Sequence, residues 1–339
     1  MMIDHKDSVW VIAEQIRGDL PAVCLELIGR ARKLADDLGV PVEVVLLGNG
    51  ISDLAGSLFF AGANVVHLGD ATDFEGYQPE IYTESIVSLA KERHPQIILI
   101  GSTFMGRELA PLIAAKLGTG LTAHCIDLVL DEKGVLEQQI PAYGGMMSII
   151  CPEKRPQIAT IAQGVFPIPA LDESRSGKIL PVEPPQGINN RVQTLEVVQI
   201  EPEGVPLESA PIVVAGGAGT GSIEGWQEIK TLAETLNAAL GSTRPAVDEG
   251  WTELETMIGQ SGKMVSPEVY IGVGLSGELQ HMVGIVGAKV MIAINNDAKA
   301  PVFEQVDYGV VEDCRVFVPA LVKTLQKNEA FSGRETHVT

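Results

Sequence analysis

TRPAVDEGW (Thr243–Trp251), IGQSGKMVSPEVYIGVGLSGELQH (Ile258–His281) and IAINNDAKAPVFEQVDYGVVED (Ile292–Asp313) decide how this chain is built. Each segment places glycine, small hydroxyl or amide residues beside a short apolar run. Parallel α/β sheets present such loops at the carboxyl ends of their strands, where backbone N–H groups can meet a phosphate-bearing ligand.

Around that stretch the second half of the chain reads as alternating strands and helices. Ile212–Ala215 predicts a strand, GGAGTG a turn, and Glu224–Leu240 a helix ending at Gly241. Val269–Val273 and Val290–Ile294 predict strands, Ser276–Gly284 opens a helix, and Val316–Gln326 closes the domain as another helix. The first half has the same rhythm. Strands are expected at Val9–Glu14, Val42–Leu47, Val65–Leu68 and Ile97–Ile100, with helices at Ala22–Leu38, Leu54–Ala61, Ile81–Arg93 and Met105–Leu117. Gly39 supplies a usual stop for the first helix. Asp127–Leu130, Glu137–Ile140, Met146–Ile150 and Ile158–Ile161 are spaced as short strands, a hairpin addition to the sheet. Val165–Pro206, rich in Pro, Glu and Gln, reads as boundary and linker, with Thr194–Ile200 as an extended strand within it. The expectation is an α/β protein of two domains. The first, at 1–205 with 166–206 partly linker, is a doubly wound, mostly parallel sheet with added hairpin strands. The second, at 206–330, is a Rossmann/flavodoxin-like parallel sheet, and 331–339 form a tail.

Composition narrows the function. At 339 residues there is enough chain for two cores, and 45% hydrophobic with 20% charged residues is ordinary for a soluble globular protein. The formal charge of −20 leaves no basic stripe to displace counterions from nucleic acid, and it opposes docking on an anionic membrane. Cys24, Cys125, Cys151 and Cys314 are scattered without a CxxC pair, so they read as reduced core thiols rather than cluster or zinc ligands. The beginning MMIDHKDSVWVIAEQ lacks the regions of a signal peptide, and apolar runs fall short of the ~20 residues of a membrane span. A cytoplasmic protein is expected.

Several motifs carry chemistry, each beside a plainer reading. Gly217, Gly219 and Gly221 alternate after a strand, but Ser222 takes the sixth place of a GxGxxG, and glycine turns after strands are common. No Walker lysine follows. In IGVGLSGELQH, Gly274 and Ser276-Gly277 lead toward a helix whose N–H groups suit a pyrophosphate, although Ser276 also serves as an ordinary N-cap. Arg244 and His281 are the strongly polar heads of the region that suit a redox ring, while a surface arginine and a structural histidine are the bland alternatives. Gln260 and Ser261 present hydrogen-bonding groups or a simple turn. Asn295 and Asp297 follow an apolar strand at a position fit for ribose, and Asp313 follows a similar one. No carboxylate pair, Ser–His–Asp set or metal cluster stands out, so any chemistry belongs to a cofactor.

With these residues in view, the chain resembles the alpha subunits of electron-transfer flavoproteins. TRPAVDEGW, GQSGKMVSPEVYIGVGLSGELQHMVG, AINNDAKAPVFEQVDYGVVED and the helix after VPAL match in order and spacing over most of Pro211–Gln326. VWVIAEQ, GRELAPLIAAKLGTGLTA and RPQIAT match more loosely in the first half. The resemblance implies FAD held mainly by the second domain, a heterodimer with a beta subunit, and electron traffic with flavoprotein dehydrogenases. It implies cofactor-binding roles for Gly217, Gly219, Thr243, Arg244, Ile258, Gly259, Gln260, Ser261, Gly274, Ser276, Gly277, Glu278, Leu279, Gln280, His281, Asn295, Asp313 and Cys314. Arg244 corresponds to a residue over the flavin, Gln260 and Ser261 to its N5 and C4 carbonyl edge, and His281 to the histidine near its C2 carbonyl. Ser276 to Gln280 correspond to the loop holding the FAD chain, and Asn295 and Asp313 to the adenosine side. Reduction places negative charge on the flavin N1–C2 region, so a positive or donating group there raises its potential.

The chain departs from the family pattern in places. Ala218 stands where the glycine loop usually carries an arginine, as GGRG; Thr243 replaces a serine and Ser261 a threonine. In the first domain His124 stands for an aspartate, Ile140 for an arginine and Met146 for an asparagine. The leading expectation is an electron carrier, rather than a substrate-converting enzyme, between an acyl-CoA dehydrogenase-type flavoenzyme of fatty acid oxidation and a quinone-linked or other acceptor. One alternative is the alpha subunit of a bifurcating carrier using NADH and ferredoxin. Another, of a different class, is a nucleotide-binding interaction protein that has lost flavin, for which Ala218 is the sole support.

Overall fold

The computed structural model describes residues 8–142, 145–188 and 204–327. It forms two compact units, Met1–Val198 and Gln199–Thr339.

In the first unit, β1 (Val9–Ala13), β2 (Val42–Gly48), β3 (Val65–Asp70) and β4 (Ile97–Gly101) alternate with α1 (Ala22–Leu38), α2 (Ala55–Ala61) and α3 (Pro79–Arg93), and α4 (Phe104–Leu117) follows β4. These strands are apolar on both faces because helices cover both. Along β1, Val9, Val11 and Ala13 pack into one layer, and Trp10 and Ile12 into the other. The glycine stop of α1 is real: Gly39 is left-handed, φ 69°, and its N–H returns to the carbonyls of Ala35 and Asp36. After β5 (Leu121–Cys125), the chain makes β6 (Asp127–Leu130), β7 (Leu136–Ala142), β8 (Gly145–Ile150), β9 (Gln157–Ile161) and β10 (Lys178–Pro181). The main sheet is wholly parallel, in the order β10-β3-β2-β1-β4-β9-β5.

Two sequence expectations change here. β6, β7 and β8 do not extend the main sheet; they form their own three-stranded antiparallel sheet, while β9 inserts between β4 and β5. Periodicity announces short strands but cannot say which edge they join. Lys178–Pro181, inside the expected linker, pairs with β3 as an edge strand. An edge position tolerates the proline that made the segment read as irregular. The expected strand Thr194–Ile200 lies outside the described residues.

The second unit contains β11 (Ile212–Gly216), α5 (Ile223–Thr235), β12 (Ala239–Ser242), α6 (Arg244–Asp248), β13 (Val269–Val273), α7 (Leu279–Met282), β14 (Val290–Asn295), β15 (Tyr308–Val311) and α8 (Cys314–Lys327). Its five strands are all parallel, ordered β12-β11-β13-β14-β15. The helix expected over Glu224–Leu240 is therefore a helix and a strand. Asn237, at φ 49°, turns the chain out of α5, and Ala239–Ser242 pairs with Val213–Gly216. Ala and Leu have high helix propensity, which the ladder overrides. The helix expected over Ser276–Gly284 contracts to the four residues of α7, leaving Ser276–Glu278 as loop.

Candidate functional site

The sheet order reverses direction between β11 and β13. Successive connections leave on opposite sides there, which opens a crevice at the carboxyl ends. The glycine loop Gly217–Gly221 follows β11, and Gly274 follows β13. Their backbones are in contact: the Gly219 N–H donates to the Gly274 carbonyl at 2.8 Å, and a Cβ on Gly219 would lie 2.7 Å from that oxygen. These two glycines are thus required for loop-to-loop packing.

The centre of the site is the loop after Gly274. The N–H groups of Leu275, Ser276, Gly277, Glu278, Leu279 and Gln280 donate to no protein acceptor among the described residues. Its carbonyls, by contrast, are tied down. Asn295 Nδ2 donates to the Leu275 carbonyl at 2.8 Å, Val302 N–H to Ser276 at 2.9 Å, and Gln305 Nε2 to Gly277 at 2.9 Å. Gly277 turns the chain with φ +82°, and a Cβ there would meet the Val302 Cα at 2.4 Å. The loop is held from behind by its acceptors and offers its donors, the arrangement an anionic chain needs. The helix terminus sits at Leu279 rather than Ser276, and the free donors are divided between the loop Leu275–Glu278 and the first residues of α7.

Other segments close on this loop. The turn Ile258–Gly262 lies against it, with Gln260 N–H donating to the Gln280 carbonyl at 2.7 Å, and Gln260 and Ser261 are exposed. Thr243 follows β12 beside the glycine loop, its N–H on the Gly216 carbonyl at 2.9 Å. The Thr243 residue is buried, yet its hydroxyl has no partner. Arg244, next in sequence, is largely exposed and touches Asp248 at 3.4 Å. On the far side, Cys314 Sγ donates to the Gly219 carbonyl at 3.4 Å, and Asp313 binds Arg315. Asp297 is exposed and folds onto its own turn, accepting from Lys299 N–H at 2.9 Å.

His281, expected near the flavin C2 carbonyl, has protein partners at both ring nitrogens. It is buried, with Nδ1 3.0 Å from the Ile258 carbonyl and Nε2 2.6 Å from the Tyr270 hydroxyl. The carbonyl can only accept, so Nδ1 carries the proton and Nε2 accepts from the tyrosine. Burial lowers its pKa to about 4, so the ring is neutral at pH 7. Both nitrogens serve the protein, and the imidazole fixes the wall formed by Ile258–Ser261. Tyr270 was absent from the sequence-based set; it faces inward from a strand and reads as core until its hydroxyl partner is seen. Arg315, two residues beyond Asp313 and paired with it, lies in no motif of the sequence. In the first unit His124 is left-handed, φ 59°, with Nδ1 3.0 Å from Ser102 Oγ.

The free N–H groups and the orphaned Thr243 hydroxyl fit a phosphate-linked, hydroxyl-rich ligand. Fold and site together define a dinucleotide-binding α/β protein. Residues 9–186 match the Electron transfer flavoprotein domain, and residues 206–286 the Electron transfer flavoprotein FAD-binding domain. Electron transfer flavoprotein subunit alpha of Thermoanaerobacterium thermosaccharolyticum is 42% identical over 331 residues, covering 96% of this chain and 99% of that protein. Protein FixB of Clostridium saccharobutylicum is 42% identical over 326 residues, 94% and 96% of the two chains. The Megasphaera elsdenii electron transfer flavoprotein subunit alpha is 38% identical over 333 residues, 96% and 98%. The chain belongs to the electron transfer flavoprotein alpha-subunit family, and its cofactor is FAD. The family is one of heterodimers with a beta subunit. Among the described residues no helix is long and apolar enough to cross a membrane, and no group of three or more His, Cys, Asp or Glu is placed to hold a metal ion.

Proposed function

We propose that this chain, paired with a beta subunit, carries electrons in the cytoplasm from an acyl-CoA dehydrogenase-type flavoenzyme to a quinone-linked or other acceptor. The observation that carries the FAD assignment to named residues is the run of unpartnered N–H groups from Leu275 to Gln280, closed in by the glycine loop and the Ile258–Gly262 turn. In this reading the FAD chain is held by Ser276–Gln280, with Gly217 and Gly219 giving it room and Asn295, Asp313 and Cys314 framing the far end. Thr243, Arg244, Gly259, Gln260 and Ser261 surround the redox ring. When bound, FAD supplies reversible uptake and release of electrons.

The protein's own contribution is electrostatic and positional. Arg244 is the exposed cation at the ring end and favours the more negative, reduced state. His281, neutral and satisfied, acts as a positioning residue through Ile258 and Gln280. Met146, Met147 and Ile150 of β8 and Val129 of β6 are exposed apolar side chains, a surface that the beta subunit would cover. In this reading the functional domains meet at 205/206.

The test is to purify the chain with its beta partner and record the visible spectrum before and after denaturation. A flavin spectrum with FAD released supports the assignment. A colourless complex that takes up no FAD would sink it and leave the nucleotide-binding interaction protein. Reduction of the bound flavin by NADH with ferredoxin as acceptor would favour the bifurcating alternative over simple transfer.

A further inference from the structure

An anionic diphosphate brought to the glycine loop meets a chain of formal charge −20, with Glu224, Glu312 and Asp313 on the adjoining segments. Backbone N–H groups offset part of that field, and a fixed cation close to the loop adds to them most directly. Ala218, exposed at the loop's tip, brings only a methyl group.

A cation reaches the loop from another element. The first turn of α8 is pinned against it by the buried Cys314, whose Sγ lies 3.4 Å from the Gly219 carbonyl. The next residue is Arg315. Its guanidinium is forked onto Asp313, Nε to Oδ1 at 3.0 Å and Nη2 to Oδ2 at 2.6 Å. Asp313 also accepts from the Arg315 N–H at 2.9 Å, so the carboxylate caps the helix and orients the side chain. The third nitrogen, Nη1, points the other way. It lies 3.8 Å from the position a Cβ on Gly221 would take, and it has no partner among the described residues.

We propose, resting on the FAD assignment above, that Arg315 is the cationic contact for the diphosphate-bearing half of the cofactor at the glycine loop. The charge that Ala218 cannot supply from within the loop arrives through space from α8. Asp313 is its orienting partner, and the pair removes a bare carboxylate from the path of an anion.

The experiment compares FAD dissociation constants of the complex with its beta partner for the unaltered chain, Arg315→Gln, Arg315→Ala, and Arg315→Ala combined with Ala218→Arg, at low and high salt. A lost charge-assisted hydrogen bond weakens binding about ten- to a hundred-fold. Both single variants should show this, with a shallower salt dependence than the unaltered chain. Arginine at 218 should recover much of the loss, which a merely structural defect in α8 would not allow, and the flavin potential should move little. Unaltered affinity and salt dependence in Arg315→Gln, in a complex that still holds FAD, would overturn the role of Arg315 alone. An unaltered chain that takes up no FAD would overturn the cofactor assignment, and the proposal with it.

Discussion

At the scale of single residues, His281 shows how burial changes what a side chain can do. Exposed, a histidine near a flavin would offer a donor or a charge; here its one proton is committed to Ile258 and its lone pair to Tyr270. Its pKa of about 4 in the fold compares with about 6.5 in an unfolded chain. Above pH 6.5 neither state binds the proton and the contribution to stability is complete. As pH falls from 6.5 toward 4 only the unfolded chain takes it up, so stability drops by ~3 kcal/mol, and below that the contribution is level. His281→Gln should therefore flatten the pH dependence of urea unfolding between pH 6.5 and 4, measured on the second unit; an unchanged slope would mean the ring is not buried neutral. Arg244 is the opposite case. It is exposed and its one ion pair among the described residues is a helical one with Asp248, so Arg244→Ala should change stability by no more than ~0.5 kcal/mol. The same substitution should lower the flavin potential in a redox titration, and an unmoved potential would remove Arg244 from the ring end of the site.

Among the elements, the loop from Gly274 to Glu278 presents free N–H groups of the kind expected from a helix terminus. Its donors stay free while its carbonyls are held by Asn295, at the end of β14, and by Val302 and Gln305, on the segment that follows it. That anchorage requires glycine at 277, where φ is +82° and Val302 leaves no space for a side chain. Gly277→Ala should cost about 1–3 kcal/mol from the strained backbone alone. It should also weaken FAD binding disproportionately, by moving donors that must act together. Paired measurements of unfolding and FAD affinity would check this, and a variant that loses stability while keeping full affinity would show that the loop does not hold the cofactor.

For the molecule as a whole, FAD binding is linked to the folding of the second unit. A ligand at one hundred times its dissociation constant adds ~2.7 kcal/mol to the state that binds it. Trp226 reports on this directly, since it is buried in α5 with its ring 2.4 Å from the position a Cβ on Gly216 would occupy, just before the glycine loop. With Trp10 and Trp251 replaced by phenylalanine, its fluorescence should follow an unfolding transition that moves to higher urea as FAD is added. A midpoint independent of FAD would place the cofactor elsewhere.

Much of this was legible in the residue order. Buried parallel strands must be apolar on both faces, so β1 to β4 and β11, β13 and β14 stand out as apolar runs, and the glycines after β11 and β13 mark a close approach that no other residue fits well. The family motifs in Thr243–Asp313 likewise carry the FAD assignment, because they record which backbone must come close to a ligand. Pairing partners are another matter. Ala239–Ser242 has the local preference of a helix and becomes an edge strand only because Val213–Gly216 lies beside it. β6 to β8 leave the main sheet for the same kind of reason. The site divides along this line: a glycine or a cap is a local property of the chain, but the occupied nitrogens of His281 and the approach of Arg315 to Gly221 depend on residues far apart in sequence, which meet only when the sheet has formed.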